Sequence, residues 1–136
     1  MRPIPIHDLL SEIFETPAGG RLQRCLLSAH DKVAQMDSDE RQEYFNANGS
    51  AKWSPLKDEL IRRLGHKCWY TEAKPLGAQL TIDHYRPKRD YWWLAFEPGN
   101  FRVACPYSNS PEHNEEHGCS GGKGNAFPLI GAGARE

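Results

Sequence analysis

The apolar residues of this chain change their spacing near residue 66, and that change limits the folds open to it. Before it, Leu22, Leu26, Ala29, Val33 and Met36 recur at alternating four- and three-residue intervals, the stripe of a helix that buries one face. After it, Phe101-Arg102-Val103-Ala104-Cys105 alternates as a half-buried strand does, and Cys68-Trp69-Tyr70 and Leu80-Thr81-Ile82 are short runs of β-forming residues. A chain of 136 residues holds one modest core and not two. The expectation is an α+β fold in one compact domain: a helical N-terminal scaffold over 1–65, then a small antiparallel β unit with a short helix over 66–136.

Local signals place the elements. Leu9, Leu10, Ile13 and Phe14 predict a short amphipathic helix stopped around Thr16-Pro17 and Gly19-Gly20. Ser38 to Asn48 is polar and reads as helix ending at Gly49. Ser54 then reads as the cap of a further helix, with Pro55 at its first position, Leu56, Leu60 and Leu64 on its buried face, and Gly65 at its end. Tyr91-Trp92-Trp93-Leu94 is an aromatic segment, and Ser108 to His117 is predicted as a short helix that tolerates Pro111 in its first turn. A loop rich in glycine (Gly118, Gly121, Gly122, Gly124) and Phe127-Pro128-Leu129 follow.

Charge and hydropathy exclude several classes. A net charge of −1 leaves no whole-protein positive field for scanning nucleic acid, so any grip on phosphate must be local. No apolar run follows Met1-Arg2-Pro3-Ile4-Pro5-Ile6 as an export signal would, and no stretch approaches membrane-spanning length. A cytoplasmic protein is expected, with Cys25, Cys68, Cys105 and Cys119 as reduced thiols.

The chemistry concentrates in Asp83-His84-Tyr85-Arg86-Pro87-Lys88. Phosphodiester hydrolysis needs a base for the attacking water, a cation on the phosphate, and positive groups nearby. His84 suits the base, because an imidazole titrates near neutral pH. Asp83 suits a metal, and Arg86, Lys88, Arg102 and Lys123 suit phosphate contacts. Adjacent strand residues face opposite ways, so Asp83 and His84 can serve one substrate only if the backbone bends there. Asn109 and His113 are four apart, share a face if helical, and could complete a metal site with Asp83. Asn100, in Pro98-Gly99-Asn100, could hold the imidazole of His84 in orientation.

Lys67-Cys68-Trp69-Tyr70-Thr71-Glu72, Asp83 to Lys88, Tyr91-Trp92-Trp93-Leu94-Ala95-Phe96, Asn100-Phe101-Arg102 and Lys123-Gly124-Asn125-Ala126-Phe127-Pro128-Leu129 form an ordered series of blocks over the second half of the chain. The series resembles the HNH (ββα-metal) endonucleases, in particular the nuclease subunits that work beside ATPases in bacterial anti-phage defence of the Septu and retron-associated type. The resemblance implies His84 as general base, Asn100 as the residue orienting it, and Asp83 as ligand to magnesium or manganese. Asn109 stands where the motif's last histidine usually sits, and His113 resembles an extra helix histidine of some members. It further implies a nucleic-acid substrate, DNA rather than RNA, and an ATPase partner.

Many relatives brace this unit with two Cys-x-x-Cys knuckles around zinc. Here Thr71 and Ser108 stand in place of the second thiolates, so no structural zinc is expected, even with His66, His117 or Cys119 as helpers. Cys68 and Cys105 are then expected as small buried residues. Trp69, Trp92, Trp93 and Phe101 would supply the stability, which puts the Trp92-Trp93 pair in the core rather than in a base-stacking platform. The rival expectations are a zinc-stabilised binding module without catalysis, and a regulatory subunit whose HNH motif has decayed.

Overall fold

The computed structural model describes residues 4–75, 77, 79–109, 113–114, 119–120 and 122–123, and of 113–114 and 119–120 the backbone alone. Phe127-Pro128-Leu129, His117 and most of the glycine-rich loop lie outside the described residues. Helix α1 (Ile6–Glu15) buries Ile6, Leu10 and Ile13, which its turn brings to one face. Thr16 both ends it and starts the next. The Thr16 hydroxyl donates to the Ile13 carbonyl at 2.8 Å and accepts from the Gly19 N–H at 3.0 Å. Helix α2 (Pro17–Ala34) therefore begins on a capped proline, and Gly19-Gly20 lie in its first turn instead of stopping a helix. It buries Leu26, Ala29 and Val33 of the predicted stripe. A capping box of Asp37 and Glu40 opens α3 (Ser38–Tyr44).

Beyond α3 the helix does not stop at Gly49. Phe45–Gly49 is a π-helical turn that runs directly into α4 (Ser50–Leu64), with Pro55 inside it. Ser54 is thus no cap, and its hydroxyl lies 3.2 Å from that of Ser50. An interior proline costs about 3 kcal/mol. Trp53, Leu56 and Leu60 on one face of α4 are all buried, each worth roughly 1.5–3 kcal/mol, so packing outweighs the local start signal. The stop at Gly65 is as expected: its φ is +86°, and its N–H bonds the Ile61 carbonyl at 2.8 Å.

Two strands carry the candidate site. β1 (Thr81–His84) pairs antiparallel with β2 (Phe101–Ala104) in the register Thr81↔Ala104, Asp83↔Arg102 and His84↔Phe101. The Cys68–Tyr70 run is not a strand, although the Trp69 N–H reaches the Val103 carbonyl at 2.7 Å. Single 3-10 turns cover Trp92–Leu94 and Pro98–Asn100. Helix α5 (Pro106–Asn109) is one turn long, and His113–Asn114 (β3) pairs antiparallel with Cys119–Ser120 (β4). The helix predicted over Ser108–His117 is corrected accordingly. The Cys105 carbonyl takes the N–H groups of Ser108 and Asn109, so the turn starts earlier than the sequence suggested. A turn begun there meets Pro111, which has no N–H with which to continue it.

Helix α4 lies against both strands of the β1–β2 pair, and one core joins the two halves: Trp53, Leu56 and Leu60 with Phe96, Phe101 and Val103. Of the aromatic residues expected there, Trp69 and Phe101 are buried and Trp92 is half-buried, but Trp93 is 41% exposed. Its expected place in the core is therefore corrected: in the short 3-10 turn Trp92 packs against the core and Trp93 is left out. Among the described residues no helix is long and apolar enough to cross a membrane.

Gly49 tests this packing. A Cβ there would lie 2.2 Å from Cη2 of Trp53, a ring that cannot flex aside. Alanine is the better helix former by about 1 kcal/mol, yet Gly49→Ala should destabilise the protein by a net 1–3 kcal/mol or so in urea unfolding. A variant as stable as the wild type would show that Trp53 has room to move.

Candidate active site at the end of the first strand

Asp83 and His84 close β1, and both are buried. The imidazole of His84 meets Trp53 of α4 edge-on at 4.7 Å and Phe101 at 5.3 Å. Its Nε2 lies 2.9 Å from the Ala95 carbonyl oxygen. A carbonyl only accepts, so Nε2 carries the proton and Nδ1 keeps the lone pair. Burial pushes the pKa of His84 down from 6.5 to about 4; the bond to Ala95 opposes this, and the charges of Lys88 and Lys123 add to it. At neutral pH the ring is uncharged and able to accept a proton.

Asp83 meets a different set of groups. It accepts a hydrogen bond from the Tyr70 hydroxyl, and Lys123 Nζ lies 3.2 Å from its Oδ2 and 3.4 Å from its Oδ1. The same ammonium donates to the His84 carbonyl at 2.7 Å. Burial, and then the bond to Asp83, hold the Tyr70 hydroxyl well above its ordinary range. Burial lowers Lys88 and Arg102, and the charge of Asp83 opposes it in both. One carboxylate thus sits among three cations, a local positive excess in a chain of net charge −1. The backbone bend expected between Asp83 and His84 is absent, so their side chains leave opposite faces of β1; what the two groups share is the charge of Lys88 and Lys123, through which one phosphate would have to reach both. Strand pairing runs through both, and the Tyr85 N–H continues it to the Asn100 carbonyl at 2.8 Å.

Asn100 is buried and acts at one remove from the ring. Its Oδ1 accepts from the Arg86 N–H at 2.8 Å, and its Nδ2 donates to the carbonyls of Arg86 at 3.0 Å and Leu94 at 3.2 Å. The imidazole is held instead by Ala95, the residue after Leu94. Asn100 therefore positions the loop that positions His84, which corrects the direct contact expected from the sequence.

The remaining expected residues divide. Arg102 lies between the rings of Trp69 at 4.7 Å and Tyr85 at 4.9 Å, and donates to the carbonyls of Gly99 and Phe101. Arg86 stands 5.5 Å from the centre of the Tyr91 ring, and Lys88 5.9 Å from that of Trp53. Asn109 turns its amide to the Thr81 hydroxyl at 3.4 Å. His113 belongs to β3, so its spacing from Asn109 does not put the two on one helix face, and its side chain lies outside the described residues.

Among the described residues no three His, Cys, Asp or Glu side chains converge as a metal cluster. The donors fit a magnesium-type ion as a site of one carboxylate, Asp83, completed by water and substrate phosphate. Lys123 must leave Asp83 for such an ion to bind. Sequence reasoning missed Tyr70, Ala95 and Trp53. Tyr70 stood inside a noted block, but nothing local named Asp83 as its partner.

Cys68 and Cys105 come together at Ser108. The Ser108 hydroxyl lies 3.1 Å from Cys68 Sγ and 3.2 Å from Cys105 Sγ. Both cysteines are buried as expected. Burial alone would raise the Cys68 thiol, but hydrogen bonds from Ser108, the Cys105 backbone and Thr71 outweigh it and bring the thiol down to about 6. Comparison of the chain with protein-family models, curated proteins and solved structures finds no match.

The depressed His84 pKa makes a signed prediction. The unfolded chain takes up the proton near pH 6.5 and the folded one only near 4, so stability is full above pH 6.5 and falls as pH drops toward 4. The group's share of the loss is about 3 kcal/mol. His84→Gln cannot titrate, so the stability gap between wild type and variant should shrink by about that amount from pH 7 to 4. Parallel curves, or an imidazole that titrates near 6.5 by NMR, would reject the assignment.

Proposed function

We propose that the protein is a metal-dependent nuclease of the HNH type that hydrolyses phosphodiester bonds. The observation that carries the reading is the Ala95 bond to His84, which leaves a neutral imidazole with Nδ1 as its basic nitrogen, on the strand residue that follows Asp83, a carboxylate set among cations. In this reading Nδ1 removes the proton from an attacking water. The phosphate approaches Lys88 and Lys123, and its negative charge raises the pKa of His84 back toward the range of an effective base. Asp83 would hold the divalent ion, which when bound supplies positive charge for the phosphate oxygens and the leaving group. Asn100 keeps the Leu94–Ala95 carbonyls where His84 needs them. DNA as substrate, an ATPase partner and a role in anti-phage defence follow from the resemblance alone, and a cytoplasmic setting from the cysteine usage.

The Lys123–Asp83 ion pair favours a second reading, a binding protein in which the ammonium stands permanently where a metal would. The readings separate on supercoiled plasmid with magnesium or manganese. The nuclease cuts it, a chelator stops the cutting, and His84→Ala lowers the rate by about 10²–10⁴. Manganese binding, followed by paramagnetic resonance, should be lost in Asp83→Asn and strengthened in Lys123→Ala. A folded wild type that neither binds manganese nor cuts would leave the binding protein standing.

A further inference from the structure

Trp93 stands apart from the other three tryptophans. Trp53 and Trp69 are buried and Trp92 is half-buried with the Arg41 guanidinium 3.8 Å from its ring centre, whereas Trp93 is 41% exposed. Its aromatic neighbours brace it without stacking on it: Tyr91 at 5.6 Å and 61°, Trp92 at 5.9 Å and 90°. The backbone beneath is fixed. Leu94 and Ala95 donate to Tyr91 and Trp92 at 2.9 and 3.1 Å, and the Leu94 carbonyl takes the Asn100 amide.

Cations lie over its two aromatic neighbours. Arg41 lies over Trp92, Arg86 over Tyr91, and Arg89 is exposed one turn away with Asp90 as its ion-pair partner. A solvent-facing indole whose neighbouring rings carry guanidinium groups suits a ligand that alternates flat aromatic groups with negative charge. Single-stranded nucleic acid is that ligand. In a duplex the base faces are covered by their own stacking and cannot reach an indole.

We propose that Trp93, with the cations over its neighbouring rings, forms a stacking platform for unpaired bases on the loop that holds the candidate base. Trp93 is two residues from Ala95, whose carbonyl holds His84, so their Cα atoms lie within about 7 Å. The platform and the support of the proposed base thus share one short stretch of backbone. The proposal deepens the nuclease reading and rests on it for its consequence, that unpaired segments are the preferred substrate, while binding itself is measurable without cleavage.

The test uses fluorescence anisotropy of the full chain with a labelled oligothymidine and with a labelled duplex, both in chelator so that nothing is cut. The wild type should bind the single strand more tightly. Trp93→Ala should weaken that binding about tenfold and leave duplex binding unchanged, and Trp93→Phe should keep most of it. Unchanged single-strand binding in Trp93→Ala, or equal losses on both probes, would overturn the platform. Plasmid cleavage with manganese is scored separately. Cleavage without a Trp93 effect sinks the platform and spares the nuclease; the expected binding pattern without cleavage does the reverse.

Discussion

The side-chain amide of Asn100 ties together the long segment between β1 and β2. Residues 85–100 hold only short turns, at Pro87 to Tyr91, Trp92–Leu94 and Pro98–Asn100, so many of their backbone groups need partners from elsewhere. Asn100 bonds both backbone groups of Arg86 and the carbonyl of Leu94, from a buried position just before β2. That one amide fixes the exit from β1 and the approach to Ala95. The Ala95 carbonyl then selects the tautomer of His84, and the order of dependence runs from amide to loop to imidazole. A buried amide with several partners makes a costly group to leave unsatisfied, which gives the loop one conformation rather than many.

The helical half serves the site through Trp53. The π turn at Phe45–Gly49 and the continuous helix after it bring this ring against His84, Phe96 and Phe101. Its contact removes water from the imidazole, and that desolvation is the largest cause of the lowered pKa. The scaffold is therefore a source of the electrostatics and not only a support. Gly49 leaves room for the ring and so connects a backbone position in one half to a titration in the other.

Asp83 shows how charge is arranged around a site in a nearly neutral chain. Tyr70 and Lys123 hold the carboxylate directly, while Lys88 and Arg102 feel it through space. Lys123 spans Asp83 and the His84 carbonyl, and so joins the late loop to the end of β1. In the cysteine cluster the hydroxyl residues Thr71 and Ser108 hydrogen-bond Cys68, and the contacts tie residues 68–71 to 105–108.

The sequence by itself determined the helical first half, β runs at Leu80-Thr81-Ile82 and Phe101 to Cys105 within a small antiparallel unit, the stop at Gly65, and Asp83, His84 and Asn100 as the polar residues of one neighbourhood. Each rests on short-range signals: apolar period, caps, turn residues and distinctive blocks. Local reasoning failed where long-range packing competed. Ser54-Pro55 reads as a helix start, but burial of Trp53 carries the helix through it. Asn109 and His113 read as one helix face, but the turn begun at Cys105 ends before His113. Only the tertiary structure decided that Ala95 holds His84, that Lys123 and Tyr70 hold Asp83, and that Trp93 faces solvent. Those partners are separated along the chain, and the folded core alone sets which side chains meet.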